Sequence, residues 1–467
     1  MATEYTKKLG KYAVDLKFSD LPPEVIEQVK KITLHTVGVS IASIDTYDVQ
    51  NAIRMVTEKG GTPQATVWGT KGLKVPLDEA VFVTGTQADT LDWEDCTWTG
   101  HASAGAIPTA FAVGEMNHKS GREYIEAVVA AYEVYQRIAM GIQPARESFP
   151  LLGSGPHMDW GLVLWQIFAA SIAAGKLMDM DEEQMTANIS ASCYNTPLCT
   201  GKINCGDIYH YAYGHSAKAA VYTAQLVLST PRIEYCLDAL DEPDAFWRQC
   251  SDHVEWDWFD RNLGSEYLIM ETLLKHWPAN IWVQGPVEAM HELYTKHPFD
   301  VDDVEKITLS PQMDIYSRVR PRPYQFMFAQ YTASHCLAAY LNDPDASADW
   351  FSDENRAGGR VAEIESKIEL LEPKMGAMDA FLEFFDGTFP EFTVTVKLKN
   401  GEEYVEKLRY PKGHPRNQFS LDEERAFFKH ITTPFLGEEK ANAFVAAIDD
   451  LENVADIGEL IPLLCID

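Results

Sequence analysis

No stretch of this chain is apolar for long enough to span a bilayer. The apolar run between Asp159 and Lys176 has sixteen residues and contains Gly161 and Gln166, so it predicts a buried helix. Positive charge is also scarce: 39 Lys and Arg stand against 70 Asp and Glu, for a net charge of −31. So acidic a surface repels phosphate backbones and anionic headgroups, which argues against nucleic-acid and membrane partners. It equally repels an anionic substrate, so a carboxylate substrate would need local Lys, Arg or His inside its site. The eight cysteines (96, 193, 199, 205, 236, 250, 336, 465) form no CxxC and no Cys/His spacing of the zinc type. Reduced thiols in a cytoplasmic protein without a bound metal are expected. The opening MATEYTKKLGKYAVDLKFSD lacks the apolar centre of a signal peptide. There is no internal repeat and no low-complexity tract.

What remains is ordinary globular composition, 46% apolar and 23% charged, in 467 residues. That length predicts two domains, one of them discontinuous. Helical patterning dominates residues 1–180. Leu21-Pro22-Pro23-Glu24 starts a helix, and Val25, Ile26, Val29, Ile32, Leu34, Val37 and Ile41 recur at helical spacing over Pro23–Ser43. Val75–Thr90 predicts a helix that delivers Asp92 at its end. Ala104–Asn117, Gly121–Met140, Gly161–Leu177 and a helix opened by Asp181-Glu182-Glu183 follow. Leu198–Lys218 reads as a loop entering a helix at Ser216–Leu228.

From about residue 266 the texture changes. A helix over Gly285–Lys296, strands over Val304–Ser310 and Ile364–Leu371, and a hairpin of Phe392–Leu398 and Glu403–Tyr410 around Asn400-Gly401 are expected. Leu421–Ile431, Glu438–Leu451 and Val454–Leu464 return to helix. The fold class is therefore mainly α with an α+β part: a large all-helical domain (1–265 plus 406–467) with an inserted smaller α+β lid domain (266–405).

The densest chemistry lies in Asp89–Pro108. Asp92, Glu94, Asp95, Cys96 and His101 precede the small residues Ala102–Gly105. Such a cluster can place an acid and a base around a small substrate, or simply cap the next helix. Tyr209, His210, Tyr211, Tyr213 and His215 suggest a pocket wall, with plain aromatic packing as the other reading. Arg318, Arg320 and Arg322 alternate, so in an extended segment they would share a face and could grip carboxylates; a solvated edge is the alternative. Lys202 and Lys218 are weaker candidates. His118, His253, His291, His297, His414 and His430 sit in polar contexts and are expected at the surface.

The order of motifs resembles the MmgE/PrpD superfamily of dehydratases, decarboxylases and epimerases. Thr84-Gly85-Thr86-Gln87-Ala88 with Leu91-Asp92-Trp93-Glu94-Asp95 resembles its "NG…H-x-L-D-[YF]-D-D" signature. His101-Ala102-Ser103 resembles "H-P-S", Ser120–Ile138 resembles "SG-x-E…GYEV…RI", and Gly413-His414-Pro415-Arg416-Asn417 resembles "G-x-P-x-N-P". The resemblance covers nearly the whole chain. It implies a helical domain with an inserted lid, a homodimer, and no cofactor. It also implies active-site roles for Asp92, for His101, for His157 in Gly155-Pro156-His157-Met158, and for Lys275 in Lys275-His276-Trp277-Pro278.

Departures are equally specific. Cys96, followed by Thr97, stands where the family has Thr. Tyr209, beside His210, stands where a lysine is usual. Asn280–Gln284 lacks the family's histidine, and His35 replaces an aspartate. These changes imply a different substrate, with fewer or differently placed carboxylates. Cys96, Thr97, Tyr209, His210, Arg318 and Arg320 are the candidate substrate contacts. The implied function is a lyase acting on a small carboxylic acid with loss of water or CO2. The same proton abstraction allows an isomerase or epimerase, and a non-catalytic binding protein on the same fold is the third reading.

Overall fold

The computed structural model describes residues 4–97, 100–142, 166–195, 207–230, 236–249, 254–313, 322–375 and 388–467. The longer helices are α1 (Tyr5–Asp15), α2 (Pro23–Ala42), α3 (Tyr47–Lys59), α4 (Leu77–Asp89), α5 (Ser103–Asn117), α6 (Gly121–Ile142), α7 (Gln166–Leu177), α8 (Glu182–Asn195), α9 (Tyr211–Ser229), α10 (Ile281–Lys296), α11 (Ala333–Asn342), α12 (Leu421–Leu436) and α13 (Glu438–Asp449). The strands that matter are β1 (Asp95–Cys96), β2 (Leu273–Leu274), β3 (Val304–Ser310), β4 (Ile368–Leu370), β5 (Phe392–Leu398) and β6 (Glu403–Leu408). The protein is mainly α with an α+β part. Among the described residues no helix is long and apolar enough to cross a membrane.

Helix α5 is apolar on every side because α4, α6, α7 and α9 surround it. One core joins these helices to α12, α13 and the C-terminal turns. A second core lies between α10, α11 and a sheet of order β6-β5-β3-β4, in which only the β3–β4 pair is parallel. Residues after Asp92 straddle the two: Leu91, Trp93 and Cys96 enter the second core, whereas Ala88 and Ala102 belong to the first.

Two glycines fix this junction. A Cβ on Gly214 would lie 2.1 Å from the Phe82 carbonyl oxygen, so α4 and α9 cross backbone to backbone. That crossing sets the end of α4 beside the start of α9. Gly413 has φ +88, and a Cβ there would lie 1.7 Å from the Leu274 oxygen. Leu274 N–H donates to the Gly413 carbonyl at 3.0 Å, which pins β2 and hence Lys275.

Several boundaries differ from the sequence expectation. Helix α9 begins at Tyr211 rather than Ser216, after a 3₁₀ turn over Asp207–His210, because Tyr213 and Gly214 are buried against α4. Helix α10 begins at Ile281, where the Asn280 side chain accepts from Trp282 N–H at 3.2 Å. Ile364 belongs to a short helix, Gly359–Glu365, that precedes β4. The final turns over Ile457–Leu464 are 3₁₀ and contain Pro462.

Candidate active site

Helix α4 ends at Asp89, and the chain reverses through Asp92, whose φ of +49 lies in the left-handed region. Aspartate tolerates that conformation better than most residues. Asp92 N–H donates to the Asp89 carbonyl at 2.7 Å, closing the turn. Strand β1 then pairs antiparallel with β2, and Lys275 N–H donates to the Glu94 carbonyl at 3.3 Å. Residues almost two hundred positions apart are thereby held side by side.

Lys275 Nζ donates to Asp92 Oδ1 and, at 2.8 Å, to Glu94 Oε1. Glu94 Oε1 also lies 2.7 Å from Nδ1 of His101, and the Asp95 carbonyl lies 2.7 Å from the same nitrogen. Side-chain exposure is 0% for Lys275 and Glu94, 8% for Asp92 and 12% for His101, so the imidazole and Asp92 are the members open to a ligand. Burial pushes Glu94 up, but the charges of Lys275 and His101 outweigh it and bring its carboxyl down to about 2. Burial and the Lys275 charge push His101 down, yet the Glu94 charge and hydrogen bond raise it above the ordinary histidine value. Burial also opposes the charge on Lys275, but Asp92 and Glu94 raise it well above the usual lysine value. The geometry thus gives His101 to Glu94, not to Asp92, as its paired carboxylate. Asp95 has the capping role: Oδ1 accepts from Ser103 N–H at 3.2 Å and Ser103 Oγ at 2.7 Å, and Oδ2 accepts from the Tyr132 hydroxyl at 2.6 Å.

A second wall comes from α9. Asp89 Oδ2 lies 3.2 Å from Nδ1 of His210, and the hydroxyls of Tyr209 and Tyr213 are 3.1 Å apart. The Tyr213 ring stands edge-on to His101 at 5.5 Å, which joins the two walls. Tyr331 shares a hydrogen bond with Tyr209 and lies within electrostatic reach of Asp92. Burial, then the charges of Glu94 and Asp92, raise Asp89 well above the ordinary carboxylate value, so its proton is retained far more easily. Burial likewise raises Tyr209 and Tyr213, which keeps both phenols neutral. Tyr209 and His210, expected in a loop, lie in the 3₁₀ turn that leads into α9, and Tyr213 lies in the first turn of α9.

The remaining candidates separate. Cys96 is buried in β1, and burial raises its thiol far above the usual range; its Sγ–H donates to the Thr97 carbonyl at 3.2 Å. Thr97 Oγ1 donates to the Gly100 carbonyl at 2.9 Å and closes a local turn. His157, Lys202, His253, Arg318 and Arg320 lie outside the described residues. Arg322 is held by Glu365 and by the Asn355 carbonyl at 2.7 Å, so its charge serves the smaller core. Lys218 pairs with Glu79 at 2.7 Å. His215, His118, His297 and His430 are exposed or largely so. His414, expected at the surface, is buried: its Nδ1 accepts from Arg416 N–H at 3.0 Å, and Tyr410 and Phe389 cover the ring. His291 is half-buried against the Tyr340 hydroxyl at 3.0 Å. Among the described residues no group of three or more His, Cys, Asp or Glu side chains is arranged to hold a metal ion.

Sequence reasoning passed over Asp89 and Tyr331 as site members. Asp89 stands one turn before Asp92 and had a local signal in that spacing. Tyr331 had none, since only tertiary packing brings it there.

The helical body, the inserted sheet and a Lys–carboxylate–His cluster at their junction define an architecture with a known family. A model of the MmgE/PrpD N-terminal domain matches residues 7–257, and one of the MmgE/PrpD C-terminal domain matches residues 277–453. The chain belongs to the MmgE/PrpD family. It is 23% identical over 467 residues to cis-aconitate decarboxylase of Mus musculus, covering 96% of this chain and 91% of that protein. The cis-aconitate decarboxylase of Homo sapiens is 22% identical over 469 residues, with 96% and 92% covered. The cis-aconitate decarboxylase-like protein oryM of Aspergillus oryzae is 21% identical over 492 residues, with 98% and 97% covered.

Proposed function

We propose that this protein is a lyase that removes CO2 from a small carboxylic acid by proton transfer at a carbon next to a carboxylate, without a cofactor. The tautomer of His101 carries the reading. Its Nδ1 faces a carbonyl and an ionised carboxylate, both of which only accept, so Nδ1 keeps its proton. Proton exchange therefore falls to Nε2, and the raised pKa favours the imidazolium that can donate there. In the reaction the bond to the departing carboxyl carbon breaks and CO2 leaves. The electron pair stays on the adjacent carbon, spread into the remaining carboxylate, until the Nε2 proton is delivered to it. Solvent then reprotonates His101. Lys275 is fully buried, so in this reading it acts from behind the site, holding Asp92 and Glu94 in place and contributing its charge without touching the substrate. Because its charge is already balanced by two carboxylates, this reading gives the substrate carboxylate contacts to Arg318 and Arg320, the cationic candidates of the sequence. The names of the relatives support loss of CO2 over loss of water.

One observation favours a second reading. Asp92 Oδ2 is buried without a hydrogen-bond partner among the described residues. A carboxylate so placed suits a base that takes a proton from carbon, with His101 returning one to the other face, which is epimerisation.

The test is turnover of a panel of di- and tricarboxylates in D2O, followed by NMR. CO2 release with one deuterium in the product, reduced about a thousandfold in His101→Asn, is expected. Deuterium in unchanged substrate without elimination would favour the epimerase, and neither turnover nor saturable binding would overturn both.

A further inference from the structure

We propose that His35 is a positioning residue for Lys275: it clamps the Trp93 backbone, and through Trp93 it fixes the Lys275 segment against Asp92 and Glu94. The proposal concerns the Lys275 cluster of the preceding section and is tested without any substrate.

His35 lies in the middle of α2 and is fully buried. Its Nε2 donates to the Trp93 carbonyl at 2.9 Å, and its Nδ1 lies 3.3 Å from Glu424 Oε2 on α12. Phe427, one turn along α12, stacks on the imidazole at 5.1 Å and meets the Trp93 indole edge-on at 5.4 Å. Trp93 itself stands between Asp92 and Glu94, the two carboxylates that take Lys275 Nζ. Its indole Nε1–H donates to the His276 carbonyl at 3.0 Å, directly after Lys275. One tryptophan thus ties both sides of the ammonium site: its backbone sits in the carboxylate turn, and its side chain holds the lysine strand. His35 is what holds that tryptophan.

The arrangement has a physical reason. A carbonyl buried without a donor is costly, and the Trp93 oxygen receives its donor from a ring that Glu424 and Phe427 orient. Nε2 faces a carbonyl and Nδ1 a carboxylate; burial opposes charge on His35, but Glu424 and then the Trp93 carbonyl raise its pKa above the ordinary histidine value. The C-terminal helix α12 is in this way coupled to a catalytic turn that lies more than three hundred residues earlier in the chain.

Amine labelling of the native protein with acetic anhydride, read at each lysine by mass spectrometry, tests the proposal. In the wild type Lys275, whose side chain is fully buried, is expected to be protected. In His35→Leu its labelling rate is expected to rise about tenfold, the scale of local opening when one buried hydrogen bond is lost. His35→Gln, whose amide still donates to the Trp93 carbonyl, is expected to restore protection. Glu424→Gln should give an intermediate rate and serves if the leucine variant does not fold. Lys176, buried against the end of α1, is the control and should not change. Unchanged labelling of Lys275, an equal rise at Lys176, or failure of His35→Gln to restore protection would overturn the proposal. Absence of turnover on every substrate would instead count against the proposed reaction and leave this measurement intact.

Discussion

Glu94 and His101 meet through a 2.7 Å contact between Oε1 and Nδ1, and that contact decides which nitrogen of the ring can exchange a proton. It also raises the imidazole pKa, so the acid form of His101 is present below that raised value and disappears as pH climbs through it. Removing the Glu94 charge removes the principal raising influence while Lys275 and burial continue to lower the pKa. Glu94→Gln should therefore move the alkaline limb of the pH–rate profile to lower pH and reduce kcat by about a hundredfold. A limb that stays where it is would show that His101 is not the titrating group.

Lys275 is enclosed by two carboxylates and has no exposed surface. Lys275→Met leaves Asp92 and Glu94 buried beside each other with no cation between them. The expected loss of stability is about 3–5 kcal/mol, the usual result of deleting one member of a buried pair. The double variant Lys275→Met with Glu94→Gln should recover part of it, because one of the orphaned charges is gone. Denaturant unfolding of the three proteins measures the difference, and a recovery near zero would mean that the two charges do not interact.

How much of this was legible follows from the range of each signal. The helices α2 and α6 declare themselves through periodicity, and the β5–β6 hairpin through Asn400-Gly401, because those signals are local. The acidic stretch was visible as chemistry, yet Asp92, Glu94 and Asp95 are too close in sequence for spacing to say which one meets His101. The left-handed φ at Asp92 and the β1–β2 pairing make that choice. The Lys275 contact and the Trp93 staple depend on pairing across the whole chain, which no local pattern encodes. His414 was misjudged for a similar reason: its polar neighbours in sequence are not the Phe389 and Tyr410 rings that cover it.

Gly214 carries the α4–α9 crossing that sets Asp89 beside His210. Gly214→Ala would drive a Cβ to 2.1 Å from the Phe82 carbonyl, so the two helices must separate. Overpacking of this kind costs on the order of 1–3 kcal/mol. The displaced ends are the ones that carry Asp89 and His210, so activity should fall along with the melting temperature. A variant with wild-type kcat and a lowered Tm would show that this wall does not shape the reaction.

His335 gives the fold an acid-sensitive point remote from the site. Burial, aided by the nearby charges of Arg322 and Arg356, lowers its pKa to about 4, although Glu365 and the Trp350 carbonyl act the other way. Its Nε2 donates to the Trp350 carbonyl at 3.0 Å, so the proton that acid would add goes to Nδ1, which faces Arg322. In the unfolded chain the imidazole titrates near its ordinary value of about 6.5. Between those two pH values the unfolded state binds the extra proton and the folded state does not. Stability therefore rises with pH across that window and is lost as pH falls from about 6.5 towards 4, by up to roughly 3 kcal/mol from this residue. Denaturant midpoints of the wild type and His335→Gln at pH 7 and pH 5 check the sign. The variant lacks a titrating ring, so its stability should fall less between the two pH values than the wild type's, whatever its stability at pH 7.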